Sequence, residues 1–345
     1  MLFSPFPTLV SQRLFGRKSL EAVAVEVIEE CPAESGPTKP VLILDRERGL
    51  VTRSQEETTL ENEWRRLDGG EAQHRATLRY VFEEVTATPY GFFTKGQAFS
   101  RFGKLRADDL LTSGVRRLEA GFYASNQICM KYFGHWLCDG FVVAGLRQAD
   151  EILVKPYVES WGHAPRYIDR LFPDAIANEI VHFDRMSFSD DIGQTSNRGQ
   201  RLRDLRERVR ALAETSGAPG VYLRRGDGGA KRSLVNEDEV LGVMKDIGFS
   251  IVSATDDLDS IWAASGGAPI TVTLEGSHFN HVFLSSREDA FHIVINPSDR
   301  FNLVFADFVT HTGGRLATTV ATRDGDGYRA NVDSILELIA MAQGA

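Results

Sequence analysis

His135 and Asp139, in the run Tyr132-Phe133-Gly134-His135-Trp136-Leu137-Cys138-Asp139-Gly140, stand four positions apart. On a helix that spacing puts both side chains on one face. A carboxylate beside an imidazole fixes its tautomer and stabilises the imidazolium, so the pair suits general-base chemistry. The alternative is a local pair near a helix start with no chemical task. A second constellation lies in Val221–Val252, which reads VYLRRGDGGAKRSLVNEDEVLGVMKDIGFSIV. A short apolar run ends in Arg224 and Arg225. A glycine-rich loop then leads to Lys231 and Arg232, and Asn236-Glu237-Asp238-Glu239 opens an amphipathic helix before a second apolar run. Guanidinium groups, backbone N–H donors and a helix start at the carboxyl end of a strand are how open α/β sheets hold phosphorylated ligands.

Neighbouring residues at a strand end point to opposite sides, so at most one of Arg224 and Arg225 faces such a site. Asn236 and Glu239 have the spacing of a capping box. Glu237 is then left at the first turn, where its carboxylate could accept ribose hydroxyls. The third constellation, Glu275-Gly276-Ser277-His278-Phe279-Asn280-His281, follows directly on a predicted strand at Pro269–Leu274. Gly276 and Ser277 fit close backbone approach by a ligand. His278 and His281 invite a metal reading, but Glu275 is the only acid nearby, so no metal is assigned.

The elements that must position these groups can be read from periodicity. Residues 1–75 form a leading region, with a helix near Leu20–Glu30, a strand at Val41–Asp45 and a charged stretch from Arg46 to Arg75. Residues 76–195 read as an α/β domain. It has a strand at Leu78–Val85, a turn at Pro89-Tyr90-Gly91, a short strand from Gln127 and a helix at about His135–Asp150. The polar run Ser187–Arg198 reads as the connection to the next domain. A helix at Gly199–Thr215 follows, with Leu202, Leu205, Val209 and Leu212 on one stripe. Its arginines, Arg198, Arg201, Arg203, Arg206, Arg208 and Arg210, read as solvated faces, or else as a peripheral contact with an anionic membrane. Over residues 196–322 strands alternate with helices, the pattern of a parallel sheet covered on both faces. Residues 323–345 hold a final helix, Val332–Ala342, expected to pack back on the first domain.

Composition sets the outer bounds. At 345 residues, 42% hydrophobic and 25% charged, the chain has the make-up of a folded globular protein. The net charge of −9 argues against nucleic acid as a partner. Cys31, Cys129 and Cys138 suggest neither a disulfide framework nor a metal site. Pro5, Pro7, Gln12 and Arg13 interrupt Leu2–Leu14, so no signal peptide is expected, nor any transmembrane segment. A cytoplasmic location follows as the expectation.

The three constellations, in this order, closely resemble the motifs of glycosyltransferase family 61. That family includes bacterial capsular polysaccharide transferases, plant arabinoxylan xylosyltransferases and EGF-domain O-GlcNAc transferases. Its arginine motif and Asn-Glu-x-Glu helix start match Arg224, Arg225, Arg232, Asn236, Glu237 and Glu239. Its His-x-x-x-Asp landmark matches His135 and Asp139. Its closing motif resembles Glu275-Gly276-Ser277, without the more widespread Gly-x-His-Gly-Ala form. The resemblance implies a GT-B architecture, two Rossmann-like domains facing across a cleft. It also implies a nucleotide-sugar donor, a glycan acceptor and inversion at the anomeric carbon; because the chain lacks a convincing acidic metal cluster, no cofactor or metal is expected. His135 or Asp139 would be the base, and the protein would work in the bacterial cytoplasm or at the inner face of the membrane. Competing readings are a non-catalytic nucleotide-sugar or polysaccharide-binding subunit and a sugar-nucleotide epimerase.

Overall fold

A computed structural model describes residues 2–99, 111–226 and 232–344. The chain divides into two compact units, Met1–Glu34 with His74–Arg201, and Ser35–Gln73 with Leu202–Ala345.

The first unit is built on one long strand, Thr77–Thr88. Val181–Asp190 lies antiparallel to it, and Arg116–Tyr123 and then Ile152–Val154 continue the sheet in parallel. On the other side the turn at Pro89–Tyr90 leads into the antiparallel strands Gly91–Thr94 and Gln97–Phe99. The sheet is therefore mixed, not the all-parallel sheet expected of a Rossmann-like domain. Its core gathers Phe82, Val85, Phe92, Phe99, Tyr123, Phe183 and Met186. Glu26–Cys31 is a strand paired with Thr77–Val81, where a helix was expected. Val25, Val27 and Ile28 are β-branched and favour extended backbone.

The helix expected over His135–Asp150 is instead two short ones, Phe133–Cys138 and Gly140–Ala144, hinged at Asp139. Gly140 is needed there because a Cβ would lie 2.2 Å from Lys155 Nζ. The polar run after Ser187 is no linker. Ser187–Asp190 ends a strand and Ser196 begins the helix Ser196–Leu212. Its polarity reflects buried hydrogen bonding: Arg79 donates to Ser187 Oγ at 2.8 Å.

In the second unit the strands Ser250–Ser253, Val221–Arg224, Ile270–Leu274, Phe291–Pro297 and Arg315–Asp324 lie side by side in that order, all parallel. In chain order this is second, first, third, fourth, fifth. Ile270–Leu274 and Phe291–Pro297 are buried throughout, as strands covered on both faces must be. Leu42–Ile43 adds in parallel to the Arg315–Asp324 strand, and the charged stretch that follows contains the helix Leu60–Asp68, capped by Thr59. The closing helix, Val332–Gln343, buries Ile335, Leu338 and Ile339 in this unit's own core with Tyr222, Val240, Met244 and Ile293. The expectation that it packs on the first domain is corrected accordingly.

The arginine-rich helix is not a solvated one. Leu202, Leu205 and Val209 are buried as expected, whereas Leu212 is exposed. Arg206 is fully buried and donates to the carbonyls of Phe283 (2.9 Å), Ser286 (3.2 Å) and Arg287 (2.9 Å), and pairs with Glu288 at 2.8 Å. Those carbonyls close the helix Phe279–Ser285, so the guanidinium satisfies its free end. Arg206→Ala should therefore cost about 3–5 kcal/mol in denaturant unfolding, as for a broken buried pair. Exposed Arg208→Ala should stay within about 0.5 kcal/mol. Equal effects of the two would show that Arg206 is not structural.

Candidate active site

In the first unit the hinge at Asp139 brings the predicted pair together. His135 Nδ1 is hydrogen-bonded to Asp139 Oδ2, and the Arg198 guanidinium takes Asp139 Oδ1. Arg198 also donates to Asp191 Oδ2 at 2.7 Å, and Arg201 holds Asp191 through two hydrogen bonds of 2.9 Å. Thr77 Oγ1 adds a hydrogen bond of 2.7 Å to Asp191. The result is an alternating line of charges: Asp139, Arg198, Asp191, Arg201. Burial opposes ionisation of Asp139, but Arg198 and then His135 hold its carboxyl below the ordinary range. With Asp139 ionised, His135 Nδ1 is the donor in their hydrogen bond, and the lone pair resides on Nε2. The histidine side chain retains 23% exposure against 14% for the aspartate.

Behind this pair lies Lys155. It is completely buried, its Nζ has no hydrogen-bond partner among the described residues, and it sits 4.6 Å from the Trp136 ring centroid and 5.1 Å from that of Phe141. Burial pushes its amine down to about 7, with Cys129 and Asp139 acting the other way.

In the second unit, the carboxyl ends of Val221–Arg224 and Ile270–Leu274 are adjacent while their connections run to opposite sides of the sheet order, the switch point where open α/β sheets form crevices. Arg225 Nη1 donates to the Glu275 carbonyl at 3.0 Å, Arg232 pairs with the Glu275 carboxylate, and Arg300 Nε lies 3.9 Å from that carboxylate. Asn302 donates to Glu275 Oε1 at 3.4 Å. Gly276 has φ +151°, and a Cβ there would sit 2.1 Å from Arg225 Nη1, so only glycine fits. The Nε atoms of Arg232 and Arg300 are buried and have no hydrogen-bond partner among the described residues. Burial and then Arg232 push Arg225 down to about 10. Arg232 is lowered too, by burial and Arg300 against the pull of Glu275. Among the described residues one carboxylate thus faces several guanidinium groups, a setting suited to an anion.

The structure separates the predicted binding residues. Arg225, Arg232, Glu275 and Gly276 converge, with Ser277 next in the loop. Arg224 turns away and pairs with Glu237 at 3.0 Å, so these two engage each other. Asn236 makes no side-chain cap. Its amide instead pairs with the Ala330 backbone, donating to the carbonyl and accepting from the N–H, both at 3.0 Å, and Glu239 accepts from Asn236 Nδ2. His278 is buried, bonded to Thr273 Oγ1 at 2.8 Å, and held well below its ordinary range by burial and Arg225. His281 is buried within the helix Phe279–Ser285. Lys231 and the loop from Asp227 lie outside the described residues. Elsewhere Glu84, His182 and Asp184 bring possible ligand atoms within 4.8 Å of one another, but Arg117 is paired with both carboxylates.

Arg198, Asp191, Arg201, Lys155, Arg300 and Asn302 were not singled out for the sites from sequence.

Residues 133–291 match the family model described as Glycosyltransferase 61. The matched segment contains His135, Asp139, Arg198, Arg225, Arg232 and Glu275, whereas Arg300 and Asn302 lie beyond it. A search of curated proteins finds no match.

Lys155 generates a pH test. Above about pH 7 the folded chain has lost a proton at this site that the unfolded chain keeps until about pH 10.4. Stability contributed here therefore rises across that window. Lys155→Met should be more stable than the parent at pH 7, with the gap shrinking towards pH 10. A gap independent of pH in denaturant titrations would show that the amine is not held neutral.

Proposed function

The chain belongs to glycosyltransferase family 61, and from that premise we propose that it moves a sugar from a nucleotide-sugar to a hydroxyl of a glycan acceptor, with inversion. The observation that carries this reading is the convergence of Arg225, Arg232 and Arg300 at the switch point of the parallel sheet. A departing nucleoside diphosphate needs its charge neutralised, and preorganised guanidinium groups do this without reorganisation.

In this reading, the acceptor oxygen attacks the anomeric carbon while His135 Nε2 takes its proton. The bond from that carbon to the diphosphate oxygen breaks, and the electron pair leaves with the diphosphate. Asp139 holds the Nδ1 proton and stabilises the imidazolium. Histidine is favoured over Asp139 as the base because both carboxylate oxygens are already engaged, one by His135 and one by Arg198. The architecture proposed is of the GT-B type, in which a donor-binding unit and an acceptor-side unit each bring their own residues to the transfer. The arginines would make a metal dispensable, and no cofactor is invoked. The resemblance to capsular transferases supports a role in bacterial cell-surface polysaccharide synthesis on the cytoplasmic side.

The first test is paired. His135→Ala should lower transfer about 10²–10⁴-fold, the usual loss for a general base, while nucleotide affinity stays near that of the parent. Near-normal turnover would make the histidine structural, and loss of nucleotide binding would move it to the donor site. The second test is chelation: transfer should persist in EDTA. Abolition by EDTA, with recovery on adding manganese or magnesium, would contradict metal-independent departure of the diphosphate.

A further inference from the structure

The helix Phe6–Phe15 is fastened to the first unit by one face only. Leu9 packs with Phe3, Phe93, Ala98 and Val115. Gln12 donates to the Ala98 carbonyl at 3.3 Å, and the Lys18 backbone N–H donates to Gln97 Oε1 at 3.0 Å. The opposite face repeats at helical spacing: Phe6, Val10 and Leu14 are 61%, 39% and 71% exposed. Phe15 (79%) and Leu2 (62%) extend it, and Thr112 pairs with Phe3, which brings exposed Leu111 to the same edge. No residue of this helix is buried.

Apolar exposure alone does not choose a partner, but the surrounding charge does. Arg13, Arg17 and Lys18 are exposed, and no acidic residue precedes Glu21, in a chain of net charge −9. A helix with an outward apolar stripe whose neighbouring charges along the chain, among the described residues, are Arg13, Arg17 and Lys18 fits the headgroup boundary of an anionic bilayer, the stripe entering the acyl region and the cations meeting lipid phosphates. We propose that Phe6–Phe15, with Arg17 and Lys18, seats the protein on an anionic membrane surface. This replaces the arginine-rich helix Ser196–Leu212 as the membrane-facing element, since Arg198 and Arg206 there are buried in ion pairs. It holds whatever the sugar, and does not depend on the transfer reaction.

The test is co-sedimentation of the full chain with vesicles of phosphatidylcholine alone or mixed with phosphatidylglycerol. Binding should be about tenfold or more stronger to the anionic vesicles and fall as salt is raised. Leu14→Ser with Phe15→Ser should lose about tenfold or more, and Arg17→Glu with Lys18→Glu should remove the preference for anionic lipid. Both variants should keep the parent's circular dichroism and nucleotide affinity, because the substituted side chains are exposed. Equal binding to both vesicle types, or binding to neither, would overturn the proposal. So would a concentration-dependent dimer abolished by the Leu14/Phe15 variant, which would assign the face to a second copy of the chain.

Discussion

Several guanidinium groups gathered on the one carboxylate of Glu275 are the constraint around which the second unit is organised. Burying a charge is costly unless it is paired, and removing one member of a buried set leaves the others uncompensated. Glu275 is 3% exposed; its carboxylate pairs with Arg232 and lies 3.9 Å from Arg300 Nε, and its carbonyl accepts from Arg225. Among the described residues, the Nε–H groups of Arg232 and Arg300 have no hydrogen-bond partner. The cluster forms because three parallel strands end side by side: Val221–Arg224 delivers Arg225, Ile270–Leu274 delivers Glu275, and Phe291–Pro297 delivers the turn with Arg300. Any substituent on Gly276 would displace Arg225, so the glycine is part of the same constraint.

The first unit solves the opposite problem. There the charges alternate and compensate one another from Asp139 through Arg198 and Asp191 to Arg201, leaving the imidazole of His135 oriented at the more exposed end. Trp136, Phe141 and the uncharged form of Lys155 provide the apolar backing that strengthens these pairs. In the proposed displacement the first unit would supply the base, held by this ionic line, and the second would supply the guanidinium groups for the leaving group.

Legibility in the sequence followed the range of the interactions. Val221–Arg224 and Ile270–Leu274 are short runs rich in β-branched and aromatic residues, with arginines or Glu-Gly-Ser at their ends, so local pattern located both strands and the groups they carry. The His135–Asp139 pair was legible because its members stand only four positions apart. The mixed sheet of the first unit was not, because Thr77–Thr88 finds its antiparallel partner in Val181–Asp190, far along the chain. Polarity also misled where it was buried: Ser187–Arg198 read as a linker and Arg206 as a solvated charge, although both are satisfied internally. Asn236 read as a cap but binds the Ala330 backbone from a distant segment. Arg300 and Lys155 carry no local signature at all. Their roles exist only once strand order has placed them.

The central claim is that the Arg225, Arg232 and Arg300 cluster recognises a diphosphate. Calorimetric titration of nucleoside diphosphates, and of the corresponding nucleosides, into the parent and Arg300→Ala tests it most directly. A charge-assisted hydrogen bond is worth about 1.5–3 kcal/mol, so diphosphate affinity should fall about tenfold or more in the variant. Its melting temperature should stay close to the parent's, since Arg300 is only partly buried. Unchanged affinity for every nucleoside diphosphate that the parent binds, or an equal loss for the nucleosides, would contradict the account.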